Sequence, residues 1–171
     1  MVANHRQAFI EPSTLEAVNL GAGAAGVGTA LTNVLRFTPV PTPSDGYIVV
    51  ADDAANGMSF TLNAPGIWSA QLQLVATASV SLRSGLSLNS VTVANSALGT
   101  AGCIAVGGPV TTLALAQAPV LISRTFRIAD SAVGAILRCN ATDNAGATPV
   151  AAIVATAGVN WFALTRIVDA G

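Results

Sequence analysis

ISRTFRIADSAVGAILRCNATDNAGATPVAAIVATAGVNWFALTRI, residues Ile122 to Ile167, is the stretch on which the fold is decided. It holds three short alternating runs. In the first, Ile122, Arg124, Phe126 and Ile128 share one face, opposite Ser123, Thr125 and Arg127. In the second, Val133, Ala135, Leu137 and Cys139 alternate with Gly134, Ile136, Arg138 and Asn140. The third sets Trp161, Ala163, Thr165 and Ile167 against Phe162, Leu164 and Arg166. Side chains of an extended chain point to opposite sides in turn, so period-two patterning bounded by Asp, Asn, Gly and Pro predicts strands of an antiparallel sheet.

Upstream the same grammar repeats. Tyr47 to Val50 is a short apolar run, and Asp52-Asp53-Ala54-Ala55-Asn56-Gly57 reads as a turn before Met58, Phe60 and Leu62. Ala64-Pro65-Gly66 breaks the chain ahead of the clearest strand, in which Trp68, Ala70, Leu72, Leu74 and Ala76 oppose Ser69, Gln71, Gln73, Val75 and Thr77. Ser79 to Leu88 continues as a strand, Thr92 to Pro109 is loop-like with a short strand at Cys103 to Val106, and Thr111 to Leu115 alternates again. About eight to ten strands spaced roughly 8–15 residues apart, with hardly any helical periodicity, predict an all-β sandwich or barrel.

Composition bounds the function. The 171 residues are 52% hydrophobic and only 9% charged, where soluble domains carry roughly 25% charged residues. Two readings of so bland a surface stand together: coverage by other subunits, or a genome biased towards Ala, Gly and Val. The net charge is −1 and all seven basic residues are Arg, scattered singly. That leaves no electrostatic footprint for nucleic acid. No apolar run reaches the roughly 18 residues of a membrane span. The opening MVANHRQAFIEPSTLE has no apolar stretch of a secretory signal, so an unsecreted chain made in the cytoplasm of its host is expected.

Residues 1–35 read as an N-terminal arm and glycine-rich linker, and 36–171 as the sandwich domain. Within the arm, PSTLEAV has the makings of one helical turn, an extended docking segment or a frayed end. Gly21 to Gly28, GAGAAGVG, matches the dinucleotide-binding pattern G-x-G-x-x-G, with Ile48 to Ala51 and Asp52 as the following strand and its acid. Against it stand Pro39, Pro41 and Pro43 in the would-be crossover helix and the absence of strand–helix alternation. No cofactor is expected.

No hydroxyl or thiol has a supporting base, because the one His5 lies in the arm and no G-x-S-x-G turn occurs. A single His without close Cys spacing argues against a transition-metal site, and no spaced series of carboxylates suits calcium. Cys103 and Cys139 read as two reduced, buried thiols, their pairing being the alternative. The residues predict a protein that is not an enzyme.

The order of features resembles a known family. A Pro-Gly-aromatic opening (Pro65, Gly66, Trp68) leads into an alternating strand. Ile122 to Ile128 then meets a turn with Asp130 and Ser131, the strand Val133 to Cys139 follows, and Trp161 to Ile167 closes the domain. This resembles the tumour necrosis factor-like and complement-type globular heads, with their "P-x-G-x-aromatic" and "L-x-x-G-D-x-V-x-L" patterns. Here Ile128-Ala129-Asp130 stands where the Gly-Asp turn is usual, Trp68 replaces a Tyr, and no collagen repeat precedes the domain.

The resemblance implies a jelly-roll β-sandwich of two antiparallel sheets. It also implies a homotrimer packed around a threefold axis that buries one sheet face of each subunit. Phe126, Ile136, Trp161, Phe162 and Leu164 are the expected trimer contacts. Similar jelly rolls decorate the capsids of tailed bacteriophages and other viruses, which implies a virion protein on the capsid surface. Its partners would be its own copies and the major capsid protein, engaged through Phe9, Ile10, Leu15 and Val18 of the arm. A receptor-binding tip of a fibre or spike is the alternative, and a dinucleotide-binding enzyme resting on Gly21 to Gly28 the remote one.

Overall fold

The computed structural model of the protein describes residues 13–17, 27–28, 33–76, 81–90, 102–111, 118–143, 153 and 158–167. Nine strands run through them: β1 (Thr14–Ala17), β2 (Ile48–Asp53), β3 (Gly57–Leu62), β4 (Gly66–Ala76), β5 (Ser81–Leu88), β6 (Cys103–Thr111), β7 (Ala118–Ile128), β8 (Ala135–Asp143) and β9 (Trp161–Ile167). One 3₁₀ turn, Asp130–Ala132, joins β7 to β8. The strands form two antiparallel sheets, of order β1-β9-β4-β7 and β2-β3-β8-β5-β6. This is the all-β jelly-roll sandwich that the alternation and the resemblance predict.

The core lies between the sheets, and the predicted inward faces supply it. Trp68, Ala70, Leu72, Leu74 and Ala76 of β4 are fully buried, as are Phe162 and Leu164 of β9 and Leu137 and Cys139 of β8. Each large apolar side chain removed from water contributes about 1.5–3 kcal/mol. Phe162 packs its ring 4.8 Å from that of Phe60 and 6.0 Å from that of Phe37, tying β9 to the opposite sheet. The Trp68 indole donates to the Ala64 carbonyl at 3.3 Å, so its one polar atom is satisfied inside the core.

The β2–β3 hairpin turns where the sequence predicts. The Asp53 carboxylate accepts the backbone N–H groups of Ala55 and Asn56 at 2.7 and 3.0 Å, and these donors hold its pKa below the usual carboxylate value. Gly57 closes the turn at φ +78, and a Cβ there would lie 2.6 Å from Val34 Cγ1. Only glycine fits both the conformation and the space.

Two expectations need correction, and the remote dinucleotide alternative lacks its structural context. The boundary at position 35 is not structural: β1 pairs with β9 through Thr14↔Thr165 to Ala17↔Phe162, and Leu15, Val27, Val34 and Leu35 are buried. Four residues, TLEA, are too short to show a period, so the strand hides in the sequence. The remote dinucleotide alternative finds no support in the strand order. β2 runs antiparallel to β3 instead of forming a parallel strand–helix–strand unit. Gly28 sits where a Cβ would lie 2.5 Å from the Ala55 carbonyl oxygen, which is a packing role. Finally, β8 begins at Ala135, because Gly134 turns at φ +91 and bonds back to the Leu62 carbonyl.

Both cysteines are free. Cys103 pairs with Ser87 and Cys139 with Leu86 on either side of β5. Two strand spacings, about 10 Å, separate them, beyond the reach of about 7 Å that a disulfide allows. Burial pushes the Cys139 thiol well above its ordinary pKa, while Cys103 is only half-buried. An alkylating reagent at pH 8.5 is therefore expected to modify Cys103 first and to reach Cys139 only on unfolding, as peptide mass mapping would record. Equal labelling of both in the native protein would contradict the packing of β8.

Candidate interaction face

The alternation that buries one side of the four-stranded sheet turns the other side outward. On β4 the outward residues are Ile67, Ser69, Gln71, Gln73 and Val75; on β9 they are Trp161, Ala163, Thr165 and Ile167. None of the nine carries a charge. The charged residues on this face stand on its two edge strands, Glu16 on β1 and Arg127 on β7. Glu16, Ala17, Gln71, Trp161, Phe162 and Ala163 line a shallow, mainly apolar hollow of about 340 Å³.

Trp161 is fixed in place by its neighbours. The Val75 N–H donates to Asn160 Oδ1 at 2.8 Å, and Gln73 Nε2 donates to the Val159 carbonyl at 3.0 Å. These bonds pin the start of β9 to the far end of β4 and commit Trp161 to the outer face, half-buried. Leu121 on β7 is 60% exposed and lies in register with Gln73, so a second large apolar group flanks the centre.

The five expected contact residues fall in three places. Trp161 alone lies on this outer face. Phe162 and Leu164 face the core of the single subunit and are removed from the set, because a fully buried side chain presents nothing to a second copy. Phe126 stands opposite Trp68 on the core-facing register, half-buried at the sandwich margin. Ile136 belongs to the other sheet, on the outer side of β8, with its backbone N–H held by Asn89 Oδ1 at 2.9 Å. Of the expected arm, Leu15 is a core residue of β1, while Phe9, Ile10 and Val18 lie outside the described residues. Ile67, Gln71, Ala163 and Leu121 were not among the expected contacts, because that they share one surface with Trp161 is legible only once the order β1-β9-β4-β7 is known.

A second concavity of about 310 Å³, more polar, opens at one end of the sandwich between Gly66, Arg127, Asp130 and Arg166. Arg166 is held there by its Nε–H bond to the Pro65 carbonyl at 2.9 Å and by the Tyr47 ring 4.9 Å away. Among the described residues no group of three or more His, Cys, Asp and Glu gathers to hold a metal ion.

The sheet order and the connections define a tumour necrosis factor-like jelly roll. Solved structures agree. The chain is similar to murine APRIL, a protein of the tumour necrosis factor family, in its crystal structure at pH 5.0, with a TM-score of 0.58 at 11% identity over 92% of this chain and 100% of that one. The crystal structures of murine APRIL at pH 8.0 and pH 8.5 match at TM-scores of 0.57 and 0.53, with the same identity and coverage. At such identity the likeness is one of fold. No protein-family model and no curated protein matches the sequence.

Proposed function

We propose that this chain is a non-enzymatic structural protein that works as a homotrimer and decorates a viral capsid, binding the assembled shell and stabilising it. The observation that carries the reading is the uncharged centre of the outer face of the four-stranded sheet, with Trp161 above a shallow apolar hollow. A chain with only 9% charged residues, in which the outer face of one sheet carries charge only on its edge strands, is suited to burying that face against copies of itself. The step from jelly roll to capsid is analogy with virion proteins of this shape.

The mechanism is linkage. A trimer that bridges neighbouring shell subunits binds the closed shell and not its dissociated parts, so it raises the free energy of opening by mass action. Three equivalent attachments, through the segment before Ser13 that carries Phe9 and Ile10, multiply weak single contacts into avidity.

Light scattering over a dilution series, followed by co-sedimentation with intact and with dissociated shells, tests this. A stable mass near three times 17.0 kDa and binding to intact shells alone are expected. A monomer at every concentration would remove the assembly reading. A trimer that binds host cells and ignores shells would favour the receptor-binding tip, for which the end concavity at Arg127, Asp130 and Arg166 offers a place.

A further inference from the structure

The two edge strands of the four-stranded sheet carry charge of opposite sign, and between them only Arg166 of β9 is charged. Strand β1 carries Glu16, exposed, and the opposite edge strand β7 carries Arg124 and Arg127, both exposed. None of the three has an ion-pair partner among the described residues, where the ion pair is Arg36 with Asp52 at 2.7 Å. Two unpaired cations on one edge and an unpaired anion on the other form a complementary set that a single subunit does not use.

The register gives this polarity a height. Glu16 pairs with Ala163, Ala163 with Gln71, and Gln71 with Ser123. Glu16 therefore stands level with Ser123, and Arg124 is one residue, about 3 Å, from that level. Rotation about an axis parallel to the strands changes no residue's height, so a closed ring of copies brings together groups of equal height on opposite edges. Arg127 stands three residues further along β7, about 10 Å at the rise of an extended strand. That exceeds the screening length of about 8 Å at physiological salt.

We propose that Glu16 of each copy pairs with Arg124 of its neighbour across the subunit boundary, so that the edge-to-edge charge polarity sets the head-to-tail sense of the ring. This rests on the trimer reading above and specifies which edges meet. Arg124 lies on the core-facing register of β7 but reaches solvent at the margin of the sandwich, where a neighbouring β1 edge would stand. At Thr14 the β1 edge is already occupied, because Thr14 N–H donates to Ser44 Oγ and the Thr14 carbonyl accepts the Ser44 N–H. A continued sheet is blocked at that position, and side chains are left to carry the contact.

Charge reversal tests it in the full chain. E16R and R124E are each expected to weaken the trimer about tenfold or more by placing like charges together, and E16R/R124E to recover affinity to within about threefold of the native chain. E16R/R127E should not recover, since Arg127 is at the wrong height. Where the native trimer is too tight to dissociate on dilution, the rate of subunit exchange between differently tagged trimers reads the same effect. Circular dichroism melts confirm that each variant folds, all three residues being exposed. Single reversals that leave affinity and exchange unchanged, or recovery by R127E equal to that by R124E, overturn the pairing while the trimer stands. A monomeric native chain overturns both.

Discussion

Replacing Trp161 by glutamate is expected to turn the proposed trimer into a folded monomer. Trp161 is the largest side chain on the outer face of the four-stranded sheet, held half-buried over the hollow at Gln71 and Ala163. Large aromatic groups at the centre of an interface carry a disproportionate share of its free energy, commonly about 2 kcal/mol or more each. Around a threefold axis one substitution acts three times. Glutamate adds to the lost contact an unpaired carboxylate in a desolvated patch, at a further cost of several kcal/mol unless it stays in water. Staying in water means dissociation. Inside the subunit little changes, because the neighbouring Phe162 and Leu164, not Trp161, hold β9 to the core. Light scattering should show one third of the native mass with a native-like circular dichroism spectrum. A W161E protein that remains trimeric at micromolar concentration would place the subunit contact elsewhere, with the outer side of β8 at Ile136 the next face to test.

How far the sequence foretold this differs from strand to strand. The two face sets of β4 and β9 were legible, because alternation over seven to eleven residues admits one register with a core. Alternation does not say what lies beside a strand. Glu16 and Ala163 are 147 positions apart in the chain and adjacent in the sheet, and no local pattern announces that. The same gap explains the mixed list of contact residues. Phe126, Ile136, Trp161, Phe162 and Leu164 are all large and apolar, but they belong to the core, to the margin and to the outer sides of two different sheets. Size and polarity mark them alike. Only the pairing of strands separates those that a second copy could reach. Leu15 was misplaced for a related reason: its strand of four residues gains its identity from β9, the last strand of the chain, and not from its own sequence.

Replacing Trp68 by alanine tests the core on which that face depends. Trp68 is fully buried near the start of β4, which is flanked by β7 and β9, in register with Phe126 and Arg166. The indole removed leaves a cavity that β4 cannot fill, since its strand is bonded on both edges. It also leaves the Ala64 carbonyl without its donor. Such truncations cost about 3–5 kcal/mol, a large share of the roughly 5–15 kcal/mol by which domains are stable. At about 2–4 °C per kcal/mol for a domain of this size, the melting temperature should fall by roughly 6–20 °C. W68F keeps most of the apolar volume and should lose less than half as much. Because a trimer adds concentration-dependent stability to every subunit, the comparison is cleanest in the monomeric W161E background, by urea unfolding. There the two tryptophans part company. Loss at Trp161 moves the mass and removes only the concentration-dependent part of the stability, whereas loss at Trp68 moves the midpoint even in a chain that no longer assembles. A W68A effect under about 1.5 kcal/mol in that background would mean that the sandwich collapses around the gap, and that β4 is held by its hydrogen bonds more than by its buried face.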